Sequence, residues 1–435
     1  MRTTRVISQA EAMVEAQRCL GCFDAPCMQA CPAGVPIPAF IRRLREENFQ
    51  GAGELIYQAC PLAATCGTAC PTDVLCEGAC VLKNLGQTPI HIGSLQTFTA
   101  SQYHHSDEVA ANPHPARVAV IGAGPSGLGC AVQLARLGHQ VHVFDSADIL
   151  SGLVDRVIPA HRLPHQVVAV DLQRLYGMGI EFHLHEKIGK GQAGQLVETH
   201  DAVYIGAGLG NLVQFTARGA DLPGVQSAME YLEQARQYAN GAAKRPATGR
   251  RVVVIGGGNV ALDAAVMARR LGAERVIVLY RRTKEEMPGW ESEYLEAAAL
   301  GVEFRWLSIV EEVIGTGDGV SAVRVASMRL GEAGTDGRRK VHPDPEAGSH
   351  LLPCDQVIHA LGQALDPAAA TAFGLEISAH STILVDALTH QAGQTRLFAG
   401  GECVSGGSTI VNSMSQGMKT AKAIHQWWLE QTGAA

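Results

Sequence analysis

The chain has 435 residues, of which 46% are hydrophobic and 18% charged, which is enough sequence for two to four well-buried domains. Its formal net charge of −7 gives no basic field to attract phosphate backbones, so we expect no nucleic-acid partner. No apolar run approaches the ~20 residues that span a bilayer, and the N-terminal residues lack the apolar core of a secretion signal. We therefore expect a folded, soluble, cytoplasmic protein with no membrane partner.

Cysteines are concentrated at one end of the sequence. Nine of the twelve lie within residues 19–80, starting with the run CLGCFDAPCMQACP at residues 19–32. In a reducing cytoplasm this density favours metal binding over disulfide bonds. The spacing C-x2-C-x4-C-x3-C-P is similar to the bacterial ferredoxin run, and residues 66–80 supply a second group. Iron–sulfur clusters and structural zinc are the candidates, and we expect short helices organised around metal rather than around an apolar core.

A first dinucleotide motif follows a polar linker at residues 104–116. RVAVI at residues 117–121 predicts a buried strand, GAGPSG follows, and after a helical pattern a second strand ends at Asp145. This order of strand, glycine turn, helix, strand and acid is the fingerprint of a dinucleotide-binding unit, in which the helix N-terminus favours a pyrophosphate and the acid accepts hydrogen bonds from a ribose. The candidate contacts are Gly122, Gly124, Pro125, Ser126, Gly127 and Asp145.

The same order recurs at residues 251–280, with RVVVI followed by GGGNVA. Here the second strand ends on two arginines, which can pair with a 2′-phosphate that an acid would repel. This predicts NADPH at the second site, with NADH possible if the arginines are only a solvated strand end. The candidate contacts are Gly256, Gly258, Asn259, Val260, Arg281 and Arg282.

A weaker repeat predicts how the two dinucleotide domains are connected. DAVYIGAG at residues 201–208 is echoed by DQVIHALG at residues 355–362, which suits an insertion of the second domain into the first. The segment FAGGECVSGGS at residues 398–408 then returns Gly401 and Glu402 to the first nucleotide. We predict an α/β fold of parallel sheets with helices on both faces. The predicted domains are a helical cysteine domain at 1–103, a first dinucleotide domain at 117–210 and 353–435, and an inserted domain at 211–352.

Two dinucleotide sites on one chain indicate hydride transfer from a nicotinamide to a flavin. A flavin takes up two electrons together and releases them singly, so it needs a one-electron carrier, and zinc has no redox chemistry. The cysteine domain is therefore predicted to hold iron–sulfur clusters. Two clusters need eight ligands, and nine cysteines are near that count. We expect no catalytic acid–base residue, because the cofactors supply the chemistry. Cys130, Cys354 and Cys403 are predicted to be small buried residues.

Motifs along nearly the whole chain resemble a single family. They are CLGCFDAPCMQACP, CGTACPTDVLCEGAC, PIHIGSLQ, VAVIGAGPSGL, IPAHRLP, VVVIGGGNVALDAA, YRRTKEEMPG and FAGGECVSGGSTIV. The family includes the small subunit of NADPH-dependent glutamate synthase and the electron-input part of dihydropyrimidine dehydrogenase. The resemblance implies FAD at the first site, near Gly152, Leu153, Arg162, Glu402 and Thr409.

The resemblance also implies two 4Fe-4S clusters. One would be held by Cys19, Cys22, Cys27 and Cys80, and the other by Cys31, Cys70, Cys76 and Gln96. Cys60 and Cys66 are left without iron in this scheme. Gln96 favours the dehydrogenase-like branch, since the synthase small subunit usually has an acid at that position.

The sequence departs from the family pattern at three positions of the FAD site. Asp145 replaces the commoner glutamate, Ser151 replaces a glycine, and Glu402 replaces the aspartate of the G-G-D motif. Each change keeps polarity or small size, so it affects contact lengths rather than the choice of FAD.

The resemblance implies a flavin and iron–sulfur oxidoreductase subunit. The sequence ends at residue 435 without an FMN-binding barrel, so we expect an electron-input subunit that oxidises NAD(P)H, reduces FAD and passes electrons through two clusters. The expected partner is an FMN-containing subunit that reduces uracil and thymine. The alternatives are a glutamate synthase small subunit, a stand-alone NAD(P)H:ferredoxin oxidoreductase, and a non-catalytic scaffold, against which the intact glycine motifs argue.

Overall fold

The computed structural model describes residues 7–104, 109–334, 339–393 and 396–433. The chain divides into two compact units. Of these described residues, the first unit, which we call the cysteine–dinucleotide unit, comprises those within 7–155, 162–211 and 363–433, and the second, the inserted unit, comprises those within 156–161 and 212–362. Residues 105–108 of the predicted linker lie outside the described residues.

Short helices form the described residues 7–104. They are α1 (Gln9–Gln17), α2 (Pro26–Gln29), α3 (Ile37–Arg45), α4 (Phe49–Ala59), α5 (Ala63–Ala69), α6 (Val81–Asn84) and α7 (Ile92–Gln102). Helix α1 begins with a capping box, in which the Ser8 hydroxyl accepts from the Glu11 N–H and the Glu11 carboxylate accepts from the Ser8 N–H. Helix α3 buries one face because its apolar residues recur at helical spacing; these are Ile37, Phe40, Ile41 and Leu44.

The remaining described residues alternate strands and helices. Residues 117–212 form β1 (Arg117–Ile121), α8 (Pro125–Arg136), β2 (Gln140–Phe144), α9 (Leu153–Val157), α10 (His165–Leu175), β3 (Glu181–His183), α11 (Lys190–Thr199), β4 (Ala202–Ile205) and β5 (Gly210–Leu212). The next segment forms β6 (Val225–Ser227), α12 (Ala228–Ala239), β7 (Arg251–Ile255), α13 (Asn259–Arg270), β8 (Arg275–Leu279), α14 (Glu291–Ala299), β9 (Glu303–Arg305), β10 (Ser308–Thr316), β11 (Gly319–Ala333), β12 (Arg339–Pro343), β13 (Ser349–Pro353) and β14 (Gln356–His359). The last segment forms β15 (Gln363–Leu365), α15 (Pro367–Ala372), β16 (Leu397–Ala399), α16 (Glu402–Ser405) and α17 (Ile410–Thr432).

Each unit contains a five-stranded parallel sheet, as the predicted α/β class requires. The order is β16-β4-β1-β2-β3 in the cysteine–dinucleotide unit and β6-β14-β7-β8-β9 in the inserted unit. In both sheets the glycine turn follows a central strand, β1 or β7, and leads directly into a helix. This topology places the carboxyl ends of the strands beside the glycine turns, where dinucleotides bind in such folds.

Strands β4 and β14 occupy equivalent positions in the two sheets. Strand β4 pairs in parallel with β1, and β14 pairs in parallel with β7. The sequence-based division assigned residues 353–362 to the first dinucleotide domain, whereas β14 lies in the sheet of the inserted unit, which extends to Gly362. The repeat of DAVYIGAG in DQVIHALG therefore marks the same strand in two Rossmann-type sheets. Each copy also lies just before a crossing between the units, as predicted, because the chain leaves the first unit after Asn211 and returns to it after Gly362. Only the predicted boundary at residue 353 is wrong.

The inserted unit also has an antiparallel sheet that the sequence analysis did not anticipate. Strand β11 pairs with β10, β12 and β13. Strands β10 and β11 form a hairpin, in which Thr316 pairs with Gly319 across the two-residue loop Gly317–Asp318. Glycine followed by a small polar residue between two strands is a strong hairpin signal, so this element could have been predicted.

The cysteine helices share an apolar core with the parallel sheet of their own unit. Phe40, Leu95 and Tyr57 are fully buried in the same cluster as Val118 and Met414. The expectation that metal replaces an apolar core in residues 1–103 is therefore wrong, because the helices bury their apolar faces against the dinucleotide-binding part of the chain. Cys130, Cys354 and Cys403 are buried as predicted.

In the part of the chain that the structure describes, no helix has both the length and the apolar composition needed to cross a bilayer.

Candidate cofactor sites

The first cysteine pocket brings together four residues that the family pattern assigns to one cluster: Cys19, Cys22, Cys27 and Cys80. Cys80 is the N-cap of α6, Cys27 lies in the short helix α2, and Cys19 and Cys22 lie in the segment between α1 and α2. The remaining lining is apolar and includes Ile37, Ile41 and Ile92. Burial, with neighbouring thiols, raises the pKa of Cys27 to about 11, so this thiol holds its proton until a metal displaces it.

The second cysteine pocket brings together the other predicted ligands. Its lining includes Cys31, Cys60, Cys66, Cys70, Cys76, Gln96 and Val411. Gln96 is 7% exposed, and its amide nitrogen donates to the carbonyl of Ala63 at 2.8 Å. That bond fixes the amide and leaves its oxygen available as a ligand. Burial also raises the pKa of the Cys31 and Cys76 thiols.

The chemistry of both pockets fits iron–sulfur clusters. Sulfur donors surrounded by apolar side chains suit soft thiolate-bound metals and exclude magnesium or calcium, which require oxygen ligands. The second pocket contains more sulfur atoms than one cluster binds, because Cys60 and Cys66 line it together with Cys31, Cys70 and Cys76.

The glycine turn after β1 forms the first dinucleotide site. Gly122 has φ +103°, and a Cβ there would lie 2.5 Å from the carbonyl oxygen of Gly206, so only glycine fits this close approach. Gly124 is the N-cap of α8, has no side-chain cap, and faces open space on its Cβ side. The free N–H groups of this helix start suit the pyrophosphate of a dinucleotide. The residues therefore fit FAD.

Two further segments converge on this turn. A Cβ on Gly152 would lie 3.0 Å from Gly124 Cα, and a Cβ on Gly401 would lie 2.5 Å from Ser126 Oγ. Ser126 is held by a buried hydrogen bond of 2.6 Å to the hydroxyl of Tyr204. The sequence analysis missed Tyr204, because a tyrosine inside the strand motif DAVYIGAG gives no signal beyond strand propensity.

Acidic and polar residues predicted near FAD make local hydrogen bonds. The Asp145 carboxylate accepts from the N–H groups of Ala123 at 2.6 Å and Ala147 at 2.8 Å, and thereby fixes the glycine turn against the end of β2. Glu402 accepts from the Ser408 N–H at 2.8 Å, and burial raises its pKa. Thr409 is the N-cap of α17, Leu153 is exposed, and Arg162 is partly buried.

The glycine turn after β7 forms the second dinucleotide site, in the inserted unit. Gly258 is the N-cap of α13, without a side-chain cap and with open space on its Cβ side. Asn259 Oδ1 accepts from the N–H of Trp290 at 2.9 Å, and the Gly289 N–H donates to the carbonyl of Gly257 at 2.9 Å. The segment YRRTKEEMPG therefore folds back onto the turn, and Val260 lies exposed at the helix start.

The two arginines after β8 differ in their surroundings. Arg282 donates through Nε to the carbonyl of Arg339 at 2.9 Å. Arg281 is exposed, and among the described residues its guanidinium has no hydrogen bond or ion pair. Arg281 is therefore the arginine whose guanidinium is available to a phosphate.

Asp171 of α10 joins the dinucleotide-binding part of its unit to the cysteine helices. The side chain is fully buried; Oδ1 accepts from the Tyr57 hydroxyl at 2.9 Å and the Ala64 N–H at 3.0 Å, and Oδ2 accepts from the Thr65 N–H at 2.8 Å. It thus caps α5, the helix that carries Cys66 and ends at Cys70, where a negative charge is favoured. Burial raises its pKa to about 6, against the effect of these donors, so it is mostly ionised at neutral pH.

Arg136 makes the complementary contact at the C-terminal end of a different cysteine-domain helix, α4. It lies in the last turn of α8 and donates to the carbonyls of Tyr57 at 2.8 Å and Gln58 at 3.0 Å. These carbonyls belong to the last turn of α4, where a cation is favoured. An acid and a base from the dinucleotide-binding part therefore stabilise two helix ends in the cysteine domain.

Comparisons with known proteins agree with this architecture. A family model described as dihydropyrimidine dehydrogenase domain II, 4Fe-4S cluster, matches residues 2–108, and one described as pyridine nucleotide-disulphide oxidoreductase matches residues 69–209 and 198–417. The glutamate synthase (NADPH) small chain of Escherichia coli strain K12 is 33% identical over 97% of this chain and 92% of its own length. The NAD-dependent dihydropyrimidine dehydrogenase subunit PreT of Salmonella typhimurium is 33% identical over 96% of this chain and 94% of its own. The chain belongs to the family that contains these two subunits.

Family membership confirms the predicted fold class and cofactor types: the chain is an NAD(P)H-dependent flavin and iron–sulfur oxidoreductase. The solved structure of Mycobacterium tuberculosis FprA with NADPH has the same fold, with a TM-score of 0.61 at 19% identity, over 74% of this chain and 86% of FprA. The two subunits named above are equally similar to this chain, and their names differ in nucleotide and in reaction. Overall identity therefore does not decide either property here.

The two cysteine pockets and the first glycine turn predict the cofactor content. Anaerobically purified protein is expected to contain about eight irons and one FAD, because each four-ligand set suits one four-iron cluster. Metal analysis, labile-sulfide determination and flavin release measure these quantities. Stoichiometric zinc without labile sulfide would contradict the iron–sulfur assignment.

Asp171→Asn is expected to weaken the attachment of α5. The amide cannot accept at all three contacts and leaves a buried N–H unpaired, which costs about 1 to 3 kcal/mol of the free energy of unfolding. We expect a lower Tm and a loss of iron, because α5 carries residues of the second pocket. Exposed Glu198→Gln on α11 is the matched control and should leave both unchanged. Equal Tm and iron content in the two variants would show that Asp171 does not hold this helix.

Proposed function

We propose that this chain is the electron-input subunit of a dihydropyrimidine dehydrogenase, which oxidises NADPH and delivers electrons to an FMN-containing partner subunit that reduces uracil and thymine. The observation that carries the proposal is Gln96. Its side chain is buried in the second cysteine pocket with the amide nitrogen bound to Ala63, so a neutral oxygen is offered where the synthase branch usually has an acid. FAD, when bound, accepts two electrons from the nicotinamide and releases them singly to the clusters.

The residues of the chain then have separate roles. Cys19, Cys22, Cys27 and Cys80 hold one 4Fe-4S cluster, and Cys31, Cys70, Cys76 and Gln96 hold the other. The turn at Gly122–Gly127 and the segments around Gly152 and Gly401 hold FAD. The turn at Gly256–Gly258 holds the nicotinamide nucleotide, with Arg281 at its 2′-phosphate. No side chain is needed as an acid or base in this chain, and protonation of the pyrimidine belongs to the partner.

The second pocket suits electron delivery because it adjoins the helix that starts at the flavin site. Val411, in the first turn of α17, lines the pocket, and the preceding Thr409 caps that helix beside Glu402 and Ser408. Met414 Sδ lies 3.8 Å from Cys60 Sγ. Proximity of this kind supports transfer between a flavin at the glycine turn and a cluster held by Cys31, Cys70, Cys76 and Gln96.

The proposal is tested by isolating the native complex and assaying it. We expect a partner containing FMN to co-purify, and NADPH oxidation to depend on uracil or thymine. The second candidate, a glutamate synthase small chain, is favoured by the equal identity to that relative. This second candidate predicts a large glutamate-forming partner, and NADPH oxidation that depends on glutamine and 2-oxoglutarate. Oxidation that depends on none of these substrates, with no partner, would support a stand-alone ferredoxin reductase.

Substitution of Gln96 tests its role as a ligand. Gln96→Ala is expected to alter or remove the second cluster while leaving flavin reduction by NADPH intact, because the first glycine turn is untouched. Iron per FAD and the spectrum of the reduced protein measure the change. Exposed Gln87→Ala is the matched control, and Gln96→Glu, which keeps a ligand oxygen, should retain the iron. Unchanged iron and an unchanged spectrum in Gln96→Ala would mean that the amide is structural only.

The arginines after β8 predict the nucleotide preference. Arg281→Ala should lower kcat/KM for NADPH about ten- to hundredfold, the equivalent of one lost charge-assisted hydrogen bond, with little effect on NADH. Arg282→Ala should have a smaller effect, because its Nε is engaged by the Arg339 carbonyl. Arg218→Ala, an exposed arginine of the inserted unit, is the control. A wild-type preference for NADH that survives Arg281→Ala would exclude a 2′-phosphate contact.

A further inference from the structure

Two histidines and a glutamate converge on the edge of the first parallel sheet. His142 on β2 is directly opposite Glu181 on β3, and His183 lies two residues further along β3 on the same face. One ligand atom from each side chain lies within 4.8 Å of the other two. Glu181 Oε2 is 3.9 Å from the Nε2 atoms of both His142 and His183. The pairing register of two strands therefore fixes three potential metal ligands together.

His183 has a ring nitrogen that is free to coordinate a metal. His183 Nε2 is inaccessible to solvent and has no hydrogen-bond partner among the described residues. A buried imidazole nitrogen in that condition is uncommon, because buried polar atoms are normally paired. The His183 ring is also fixed by stacking on Phe144, with centroids 4.5 Å apart.

The surroundings add a further feature of metal sites. His183 Nδ1 lies 3.8 Å from a carboxylate oxygen of Glu186, and a carboxylate is one of the groups, with backbone carbonyls and water, to which metal-binding histidines present their other nitrogen. Tetrahedral zinc needs adjacent ligand atoms about 3.3 Å apart, from bond lengths near 2.0–2.1 Å. The exposed Glu181, with 66% of its side chain accessible, can rotate to shorten its 3.9 Å distances to the two histidine nitrogens.

We propose that His142, Glu181 and His183 bind a divalent first-row transition metal such as Zn²⁺, with water in the fourth position. Imidazole and carboxylate ligands select this class over calcium or magnesium. The site is separate from the cysteine pockets and lies on β2 and β3, so the ion would clamp the edge strand β3 to its neighbour. It would stabilise the sheet that carries the first glycine turn.

The test is Zn²⁺ titration of the untagged holoprotein, with iron measured before and after to show that the clusters are intact. We expect one zinc per chain beyond the iron content, and binding at least about tenfold weaker in His142→Asn and His183→Asn. His185→Asn, an exposed histidine two residues away, is the matched control and should bind as the wild type does. The proposal would be overturned if the extra zinc were absent, or if His142→Asn and His183→Asn bound Zn²⁺ as tightly as the His185→Asn control.

A different observation concerns Ser151, beside the first glycine turn. Its backbone has φ +91°, a conformation that disfavours side chains, although the family has glycine here. Its hydroxyl is buried and has no hydrogen-bond partner among the described residues. Its N–H donates to the Ala123 carbonyl at 2.8 Å, which places it against the turn. The chain thus keeps a strained residue with an unpaired hydroxyl, and strain of this kind concentrates at functional sites.

We infer that the Ser151 hydroxyl donates a hydrogen bond to FAD bound at the first glycine turn. This inference rests on the proposed binding of FAD at that turn. The backbone strain and the buried unpaired oxygen both destabilise the protein without FAD, and the bond to the dinucleotide offsets them. A glycine, which lacks the hydroxyl, gives up that bond and removes the strain. Compared with glycine, Ser151 therefore lowers the stability of the flavin-free protein and raises the affinity for FAD.

The test compares Ser151→Gly with Ser151→Ala by FAD affinity and by Tm of the flavin-free protein. Both variants should bind FAD at least about tenfold more weakly than the wild type, because each loses one hydrogen bond. Both variants should raise the Tm of the flavin-free protein, because each removes the unpaired hydroxyl, and Ser151→Gly should raise it further, because it alone relieves the positive φ. Ser381→Gly, at an exposed serine with φ +57°, should gain stability with unchanged FAD affinity. If Ser151→Gly bound FAD with wild-type affinity, the inference would be overturned. In that case FAD bound to the variant, with the iron content of the wild type, would show that the FAD site itself is correct.

Discussion

A buried carboxylate, Asp171, is the contact on which the cofactor architecture depends. It reaches from a helix of the dinucleotide-binding part to the start of α5 and satisfies two backbone N–H groups and the Tyr57 hydroxyl. A carboxylate buried at this cost is retained only where such donors compensate it. Arg136 makes the opposite contact at the end of α4. These two charges fix the cysteine helices to the sheet that carries the first glycine turn.

The C-terminal helix completes this attachment. Ser415 on α17 donates to the carbonyl of Pro32, the residue after Cys31, at 2.7 Å. Gly129 of α8 would place a Cβ against the backbone of Met414, so α8 and α17 approach closely because glycine is present. One helix therefore contacts the second cysteine pocket and packs on the helix that follows the first glycine turn.

Sequence alone predicted what local patterns determine. Both glycine turns and their flanking strands follow from spacing, since each needs only neighbouring residues. The grouping of Cys80 with Cys19, Cys22 and Cys27 does not, because it joins distant parts of the sequence, and it was implied only by the family resemblance. Asp171 and Tyr204 could not be predicted, because their roles depend on partners more than 70 residues away. The repeat at residues 355–362 was visible, but its assignment to a sheet depends on long-range pairing with β7. The hairpin at Gly317–Asp318 carried a local signal that the sequence analysis did not use.

The most direct test of the account is an iron anomalous difference map from crystals of the anaerobically purified protein. The account predicts two groups of four irons. One group should be surrounded by Cys19, Cys22, Cys27 and Cys80, and the other should lie beside Val411 with the Gln96 amide oxygen bound to iron. A single group of irons, or a zinc absorption edge in either pocket, would contradict it.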